Sequence, residues 1–373
     1  MSQAAKGFVS VPARRIAGLD GLRAIAALMV FMEHRTAATA LHLGGYGVRL
    51  FFALSGYLII GTIIRSFGEY NASAGSKVIL IKRFFVSRAF RILPIYWLTL
   101  GFASLLLILE MTNSVSWAEI QWHLIFAGNI YASDIAGHWS KALSHFWSLA
   151  VEEQFYIFIA PILILLGRRW IFLACVVTIC AAVVRYFYLL NADAPSIKIG
   201  TDSIIGFGMI ALGGCLHFVP IQNNEGARRN LADKLLLFYI VSPVLVTSYF
   251  GGLEFIESLT IFIAAALILT IESQPHSYAV LVLEWRPLAY LGSISYGFYV
   301  YHYWMTAETL ATATFGIVDI RSTLPITQVA VLFLVVLMMA MISSFLVEKP
   351  LLALRQRLRM RSGPAQFYRA LHT

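Results

Sequence analysis

Long apolar runs separated by short polar stretches recur along the whole chain. Ser322 to Val347 contains 26 residues without Asp, Glu, Lys or Arg, and Ser203 to Asn224 contains another 22. Each run is long enough for an α-helix to cross a hydrocarbon layer of about 30 Å. Because the runs are continuous and do not alternate with a period of two, they favour transmembrane helices over the strands of a barrel.

The pattern predicts an all-α integral membrane protein, a polytopic bundle of about ten transmembrane helices. The expected spans are 18–38, 46–65, 90–110, 149–167, 170–190, 202–219, 234–251, 256–272, 287–306 and 326–347. This divides the chain into an N-terminal segment (1–17), a membrane domain (18–347) and a basic tail (348–373). The stretch 120–131 is apolar but too short to span, so we expect a re-entrant or interfacial segment there.

Composition and charge agree with this interpretation. The chain of 373 residues is 59% hydrophobic and 13% charged, which excludes an ordinary soluble enzyme. Its net charge of +9 could suggest a nucleic-acid partner in a soluble domain, but here the positive charges describe topology. Of the 28 Lys and Arg residues, 21 fall in alternate segments beginning with the N-terminus. We therefore expect both termini in the cytoplasm of a bacterial inner-membrane protein and no nucleic-acid partner.

The first span carries more charge than any other. Asp20, Arg23, Glu33 and His34 interrupt it, and a charge inside a bilayer costs several kcal/mol unless it is paired or hydrated. Arg23 and His34 are eleven residues apart, three helical turns, so they face the same side about 16 Å from each other. His34 is suited to act as a general base, with Glu33 or another carboxylate to orient it. An interfacial histidine is the alternative.

Two further segments place charge at the membrane. Arg88 and Arg91 are three residues apart on one helical face, and such a pair of guanidinium groups fits phosphate oxygens, although a topogenic basic cluster is equally compatible with it. Glu152 and Glu153 are adjacent in the fourth span, so at least one should face a polar interior. Near the end, His302 could be a site residue or an interfacial anchor.

Five segments together resemble the acyltransferase 3 family of membrane acyltransferases, which includes O-antigen, exopolysaccharide and Nod-factor acetylating proteins. They are Leu19-Asp20-Gly21-Leu22-Arg23-Ala24 with Glu33-His34, Leu50 to Ile59, Arg88-x-x-Arg91-Ile92-x-Pro94, Trp147 to Tyr156, and Glu348-Lys349-Pro350. Their order and spacing cover about residues 16 to 352. The resemblance implies about ten spans and transfer of an acyl group, usually acetyl, from cytoplasmic acyl-CoA to a hydroxyl of a glycan or lipid-linked glycan.

Carried over by position, the resemblance gives roles to individual residues. His34 matches the essential histidine of the first span and Arg23 the arginine of the same span. Arg88 and Arg91 match the pair that holds the CoA donor, and Glu152 matches the acidic residue of the Trp-Ser-Leu motif. One departure is Arg49, where family members often carry Asp. Some relatives append an extracytoplasmic hydrolase-like domain, and since this chain ends at Thr373 we expect transfer within the membrane domain.

The chemistry and the resemblance predict one mechanism. A thioester needs only a positioned base and stabilisation of the oxyanion, so direct transfer is favoured, with a covalent acyl-His34 left open. No metal-ligand cluster and no nucleotide-binding loop are recognisable, so acyl-CoA is expected as a co-substrate and no permanently bound cofactor. The competing class is a polytopic transporter or flippase for glycans, which ten spans with intramembrane charges also describe.

Overall fold

A computed structural model of the protein describes residues 16–36, 41–73, 76–110, 115–139, 142–220, 230–250, 254–303 and 326–361. Within these ranges all regular structure is helical. The α-helices are α1 (Leu19–Arg35), α2 (Leu43–Ser73), α3 (Lys77–Ile108), α4 (Trp117–Leu124), α5 (Gly128–Ile130), α6 (Phe146–Gln154), α7 (Ala160–Leu166), α8 (Ile171–Asn191), α9 (Ser196–Thr201), α10 (Ser203–Cys215), α11 (Leu231–Phe250), α12 (Glu254–Ser273), α13 (Tyr278–Leu283), α14 (Arg286–Ser293), α15 (Ser295–Tyr301), α16 (Ile326–Ser343) and α17 (Lys349–Arg361). The predicted all-α class is confirmed for this part of the chain.

Six helical segments are long and apolar enough to cross a membrane. They are Leu43–Gly68, Lys77–Ile108, Phe146–Leu166, Arg168–Asn191, Leu231–Ser248 and Val329–Arg357. Two shorter apolar helices, Ser203–Phe218 and Ser258–Ser273, coincide with two further expected spans. The chain is therefore a multi-pass membrane protein, while the count of about ten spans and the cytoplasmic side of the termini stay predictions.

Several segments differ from simple spanning helices. The stretch expected to be re-entrant or interfacial contains the short helices α4 and α5, and a π-helical turn at Tyr131–Ala136 follows them. The predicted span 287–306 is divided at Ile294 between α14 and α15, and its end lies outside the described residues. The last predicted span does not end at Val347, because a π-helical turn at Ser344–Glu348 carries the helix on into α17.

The centre of the bundle is formed by α1, α2 and α10, and glycines set their separation. A Cβ atom on Gly56 of α2 would collide with the Ile210 carbonyl of α10, and one on Gly213 with the Ala53 carbonyl of α2. A Cβ on Gly292 of α14 would likewise collide with the carbonyl of Asp20 on α1. At these crossings the backbones touch, because a hydrogen atom is all that fits between them. The close contact fixes the depth and rotation of α1 and α2.

One end of the bundle is basic. Here α17 packs along the first half of α3, and Arg355 donates from Nη1 to the Ser87 carbonyl at 3.3 Å. At the same end, Lys77 Nζ donates to the Leu165 carbonyl at 2.6 Å. The positive-inside rule predicts that this end faces the cytoplasm.

The glycine crossing can be tested with a matched pair of substitutions. Gly56→Leu forces a side chain into the Ile210 backbone, whereas Gly101→Leu on α3 extends into open space. Overpacking costs about 1–3 kcal/mol, so Gly56→Leu should lower the thermal unfolding midpoint in detergent by roughly 5–10 °C. The Gly101→Leu protein should unfold near the wild-type temperature. Equal midpoints for the two variants would contradict the described crossing.

Candidate functional site

A cavity lies among α1, α2, α3, α6 and α15, and four residues singled out from the sequence line it. They are Arg23, Arg88, Arg91 and Glu152. The other lining residues are Phe51, Phe52, Leu54, Ser55, Leu58, Ile92, Ser148, Leu149, Glu153, Tyr156, Ser295, Tyr296 and Tyr299. A chamber with charged groups on one wall and apolar groups on the others resembles an enzyme pocket more than a packed core.

The three arginines of the cavity are close enough to influence one another electrostatically. The Arg91 guanidinium is repelled by Arg23 and Arg88 and is attracted by Glu348. Arg88 lies over the ring of Tyr156, with its Cζ 5.5 Å from the ring centroid. Arg88 and Arg91 reach the same space because they are three residues apart on α3. Like charges held together in this way form a ready site for a polyanion.

A hydrogen-bonded chain of side chains carries Glu152. The Tyr156 hydroxyl donates to Glu152 Oε2 at 2.9 Å and is 2.8 Å from Ser55 Oγ of α2. Tyr156 and Glu152 meet because they are four residues apart, one turn of the helix. The Glu152 carboxylate also attracts Arg23 and Arg88. Glu153 lines the same cavity, so both adjacent carboxyl groups avoid lipid, as at least one was expected to do.

Tyr299 forms the wall between this cavity and a histidine cluster. Its ring lines the cavity and packs edge-on against Phe51, with ring centroids 5.7 Å apart. Its hydroxyl donates to the His145 carbonyl at 2.9 Å and is 2.6 Å from Ser148 Oγ. On its other side, the ring centroid of His302 is 5.2 Å away. The aromatic side chain therefore has the cavity on one side and imidazoles on the other.

His34 lies in the histidine cluster and is not among the described residues that line the cavity. Its Nδ1 is 3.0 Å from His302 Nε2, and its ring centroid is 4.5 Å from that of Tyr303. The sequence predicted a single cavity running past His34, and the structure instead places His34 beyond Tyr299. His34 is partly exposed, whereas His302 and His145 are buried. The base candidate and the arginines are therefore at different depths along α1.

Glu33 was expected to orient His34, and the structure places it elsewhere. Successive helical residues point about 100° apart, so Glu33 and His34 cannot share a face. Glu33 lies against Gly44 of α2, with its Cγ 3.0 Å from the position that a Cβ there would take. The side chain that His34 contacts through Nδ1 is His302.

Sequence reasoning gave no role to several side chains that complete the two regions. Ser55 and Tyr156 bind Glu152, Glu348 faces Arg91, and Tyr299 separates the regions. The spacing of Tyr156 four residues after Glu152 is the one local signal that could have indicated such a pair. The others depend on which helices meet, and spacing along one helix does not contain that information.

A comparison with protein-family models decides the kinship of the chain. Residues 16–348 match the model described as "Acyltransferase domain" of the acyltransferase 3 group. The chain belongs to this family. The resemblance drawn from five short segments is thereby confirmed over nearly the whole described structure.

The family relatives are longer proteins from Gram-positive bacteria. A protein of Staphylococcus aureus (strain COL) provisionally named an O-acetyltransferase is 30% identical over 338 residues, covering 80% of this chain and 52% of its own length. The peptidoglycan O-acetyltransferase OatA of Listeria monocytogenes serovar 1/2a is 29% identical over 354 residues, covering 86% and 54%. The chain thus spans about half the length of the curated relatives that it matches. No solved structure matches the chain significantly.

Proposed function

We propose that this membrane protein is an O-acyltransferase that moves an acyl group, acetyl in the first instance, from acyl-CoA to a hydroxyl of a cell-surface or lipid-linked glycan. One observation carries the proposal. Arginines gathered in a cavity at the basic end of the bundle and a histidine near the opposite end share one helix, α1. Family membership and the O-acetyltransferase names of the relatives support the reaction type.

The arginine cavity is suited to the donor. CoA carries phosphate groups, and guanidinium groups bind phosphate oxygens through two parallel charge-assisted hydrogen bonds. Arg88 and Arg91 are assigned to this task, with Glu152 holding Arg23 and Arg88 in place through its charge. Of the two roles open to Arg23, orientation of the donor agrees with its position in the cavity, because His34 lies about 16 Å further along α1.

His34 is assigned as the general base at the acceptor end. It takes the proton of the glycan hydroxyl as that oxygen attacks the thioester carbonyl, and a tetrahedral oxyanion forms. Collapse of this intermediate breaks the C–S bond, and the proton passes from His34 to the departing CoA thiolate. The products are an ester and free CoA thiol. A variant with an acyl-His34 intermediate divides the same transfer into two steps.

The acceptor is proposed to be a glycan because two named relatives act, by name, on peptidoglycan. The partly exposed position of His34 at the end of α1 suits an acceptor that approaches from the membrane surface. The acyl end of the donor would have to reach past Tyr299 to meet it. A transporter or flippase of glycans, the competing class, gives no reason for an arginine cavity together with a separate histidine cluster.

Removal of the base should stop the reaction without affecting the fold. We expect His34→Ala to lower acetyl transfer by about 10²–10⁴-fold, the usual contribution of a general base. The assay is release of CoA thiol from acetyl-CoA by membranes that contain the protein and its native glycans. His138→Ala is the matched control, since His138 is exposed and its ring nitrogen contacts its neighbour Trp139. Normal thiol release by His34→Ala at normal protein level would remove His34 from the mechanism.

The donor assignment has its own test. Arg88→Lys and Arg91→Lys keep the positive charge that topology requires but lose the planar, bidentate guanidinium. Each should raise KM for acetyl-CoA by about 10-fold, the value of one charge-assisted hydrogen bond. Arg83→Lys, on the same helix but outside the cavity lining, should leave KM unchanged. Unaltered KM in both cavity variants would return the pair to a purely topogenic role.

A further inference from the structure

The end of α15 holds side chains from three different parts of the chain. The last carbonyl groups of a helix lack partners within the helix and are free to accept other hydrogen bonds. Here the Tyr299 carbonyl is 2.5 Å from His302 Nδ1, and the Val300 carbonyl is 3.0 Å from His145 Nε2. The carbonyl of His302 itself accepts from Arg35 Nε at 3.0 Å and from Nη2 at 2.9 Å. This helix end therefore orients imidazoles.

The carbonyl of Tyr299 determines which nitrogen of His302 carries the proton. A carbonyl oxygen can only accept, so His302 Nδ1 must be the N–H group. In a neutral imidazole the other nitrogen is then an acceptor, and His302 Nε2 presents its lone pair. A doubly protonated His302 would place a second cation beside Arg35 in a buried position, which is costly. The neutral Nδ1–H form of His302 is thus the one that fits.

The same reasoning extends to His34. Its Nδ1 lies 3.0 Å from the lone pair on His302 Nε2, so this nitrogen of His34 must donate. The lone pair of neutral His34 is then on Nε2, the nitrogen that points away from His302. Tyr303 packs against the His34 ring, with centroids 4.5 Å apart, and restricts its rotation. A base needs this arrangement, in which one ring nitrogen is fixed and the other is left free for the substrate proton.

We propose that His302 is a positioning residue that sets the tautomer and orientation of His34, using the Tyr299 carbonyl as its reference. His302 does the work that a carboxylate does for the histidine of a serine-protease triad, but it does so as a neutral ring. This inference rests on the proposed role of His34 as general base. It also explains why Glu33, next to His34 in the chain, is not needed for this task.

Two polar substitutions of similar size separate the contacts of His302. The amide of Asn falls near the Nδ1 position, so His302→Asn can still donate to Tyr299 but cannot reach His34. The amide oxygen of Gln falls near the Nε2 position, so His302→Gln can still accept from His34 Nδ1. The measurement is kcat and KM for CoA-thiol release from acetyl-CoA in membranes with matched protein levels, alongside His34→Ala and His302→Leu.

We expect His302→Asn and His302→Leu to lose about 10- to 100-fold in kcat, as for other residues that orient a reactive ligand, with KM for acetyl-CoA unchanged. His302→Gln should recover most of the wild-type kcat. Equal kcat in the Asn and Gln proteins, or wild-type kcat in both, would overturn the proposal, and this comparison stands even if the Leu protein fails to fold. If His34→Ala itself retains activity, the proposed function fails first, and the two failures are thereby distinguished.

Discussion

The structure depends on the cost of holding three guanidinium groups within apolar helices. An arginine at the centre of a bilayer costs about 3 kcal/mol or more unless it is paired or hydrated. Arg23, Arg88 and Arg91 avoid lipid by facing a shared cavity, with Glu152 and Glu153 on its lining and Glu348 in electrostatic reach of Arg91. Because the three cations repel one another, they resist collapse onto each other. A polar space suited to an anion is the consequence.

Much of this cavity could be predicted from the sequence, because each of its charges breaks an apolar run. Arg23 and Glu152 stand out as charges within predicted spans, and Arg88 and Arg91 as a pair on one helical face. Intramembrane charges must meet somewhere in the protein interior. That argument predicts that such residues converge, and four of the six proposed site residues do so. It does not predict which neighbours, such as Ser55 and Tyr156, complete their hydrogen bonds.

The histidine cluster could not be predicted in the same way. His34 and Glu33 are neighbours in the chain, and this adjacency suggested that the carboxylate orients the ring. Their directions on a helix differ by about 100°, so the partner had to come from another helix. It comes from His302, 268 positions away, where a break at Ile294 ends α14 and lets α15 finish beside α1. The periodicity of 287–306 indicated one uninterrupted span and hid this helix end.

The central claim is that donor and acceptor are used at opposite ends of α1, with Tyr299 between them. The most direct test uses proteoliposomes in which the protein has one orientation and radiolabelled acetyl-CoA, which does not cross the bilayer, is confined to the basic side. A soluble N-acetylglucosamine oligosaccharide is confined to the side of His34. The account predicts labelled ester on the oligosaccharide in this arrangement, and little when the two compartments are exchanged. Product formed only when donor and acceptor share one compartment would contradict it.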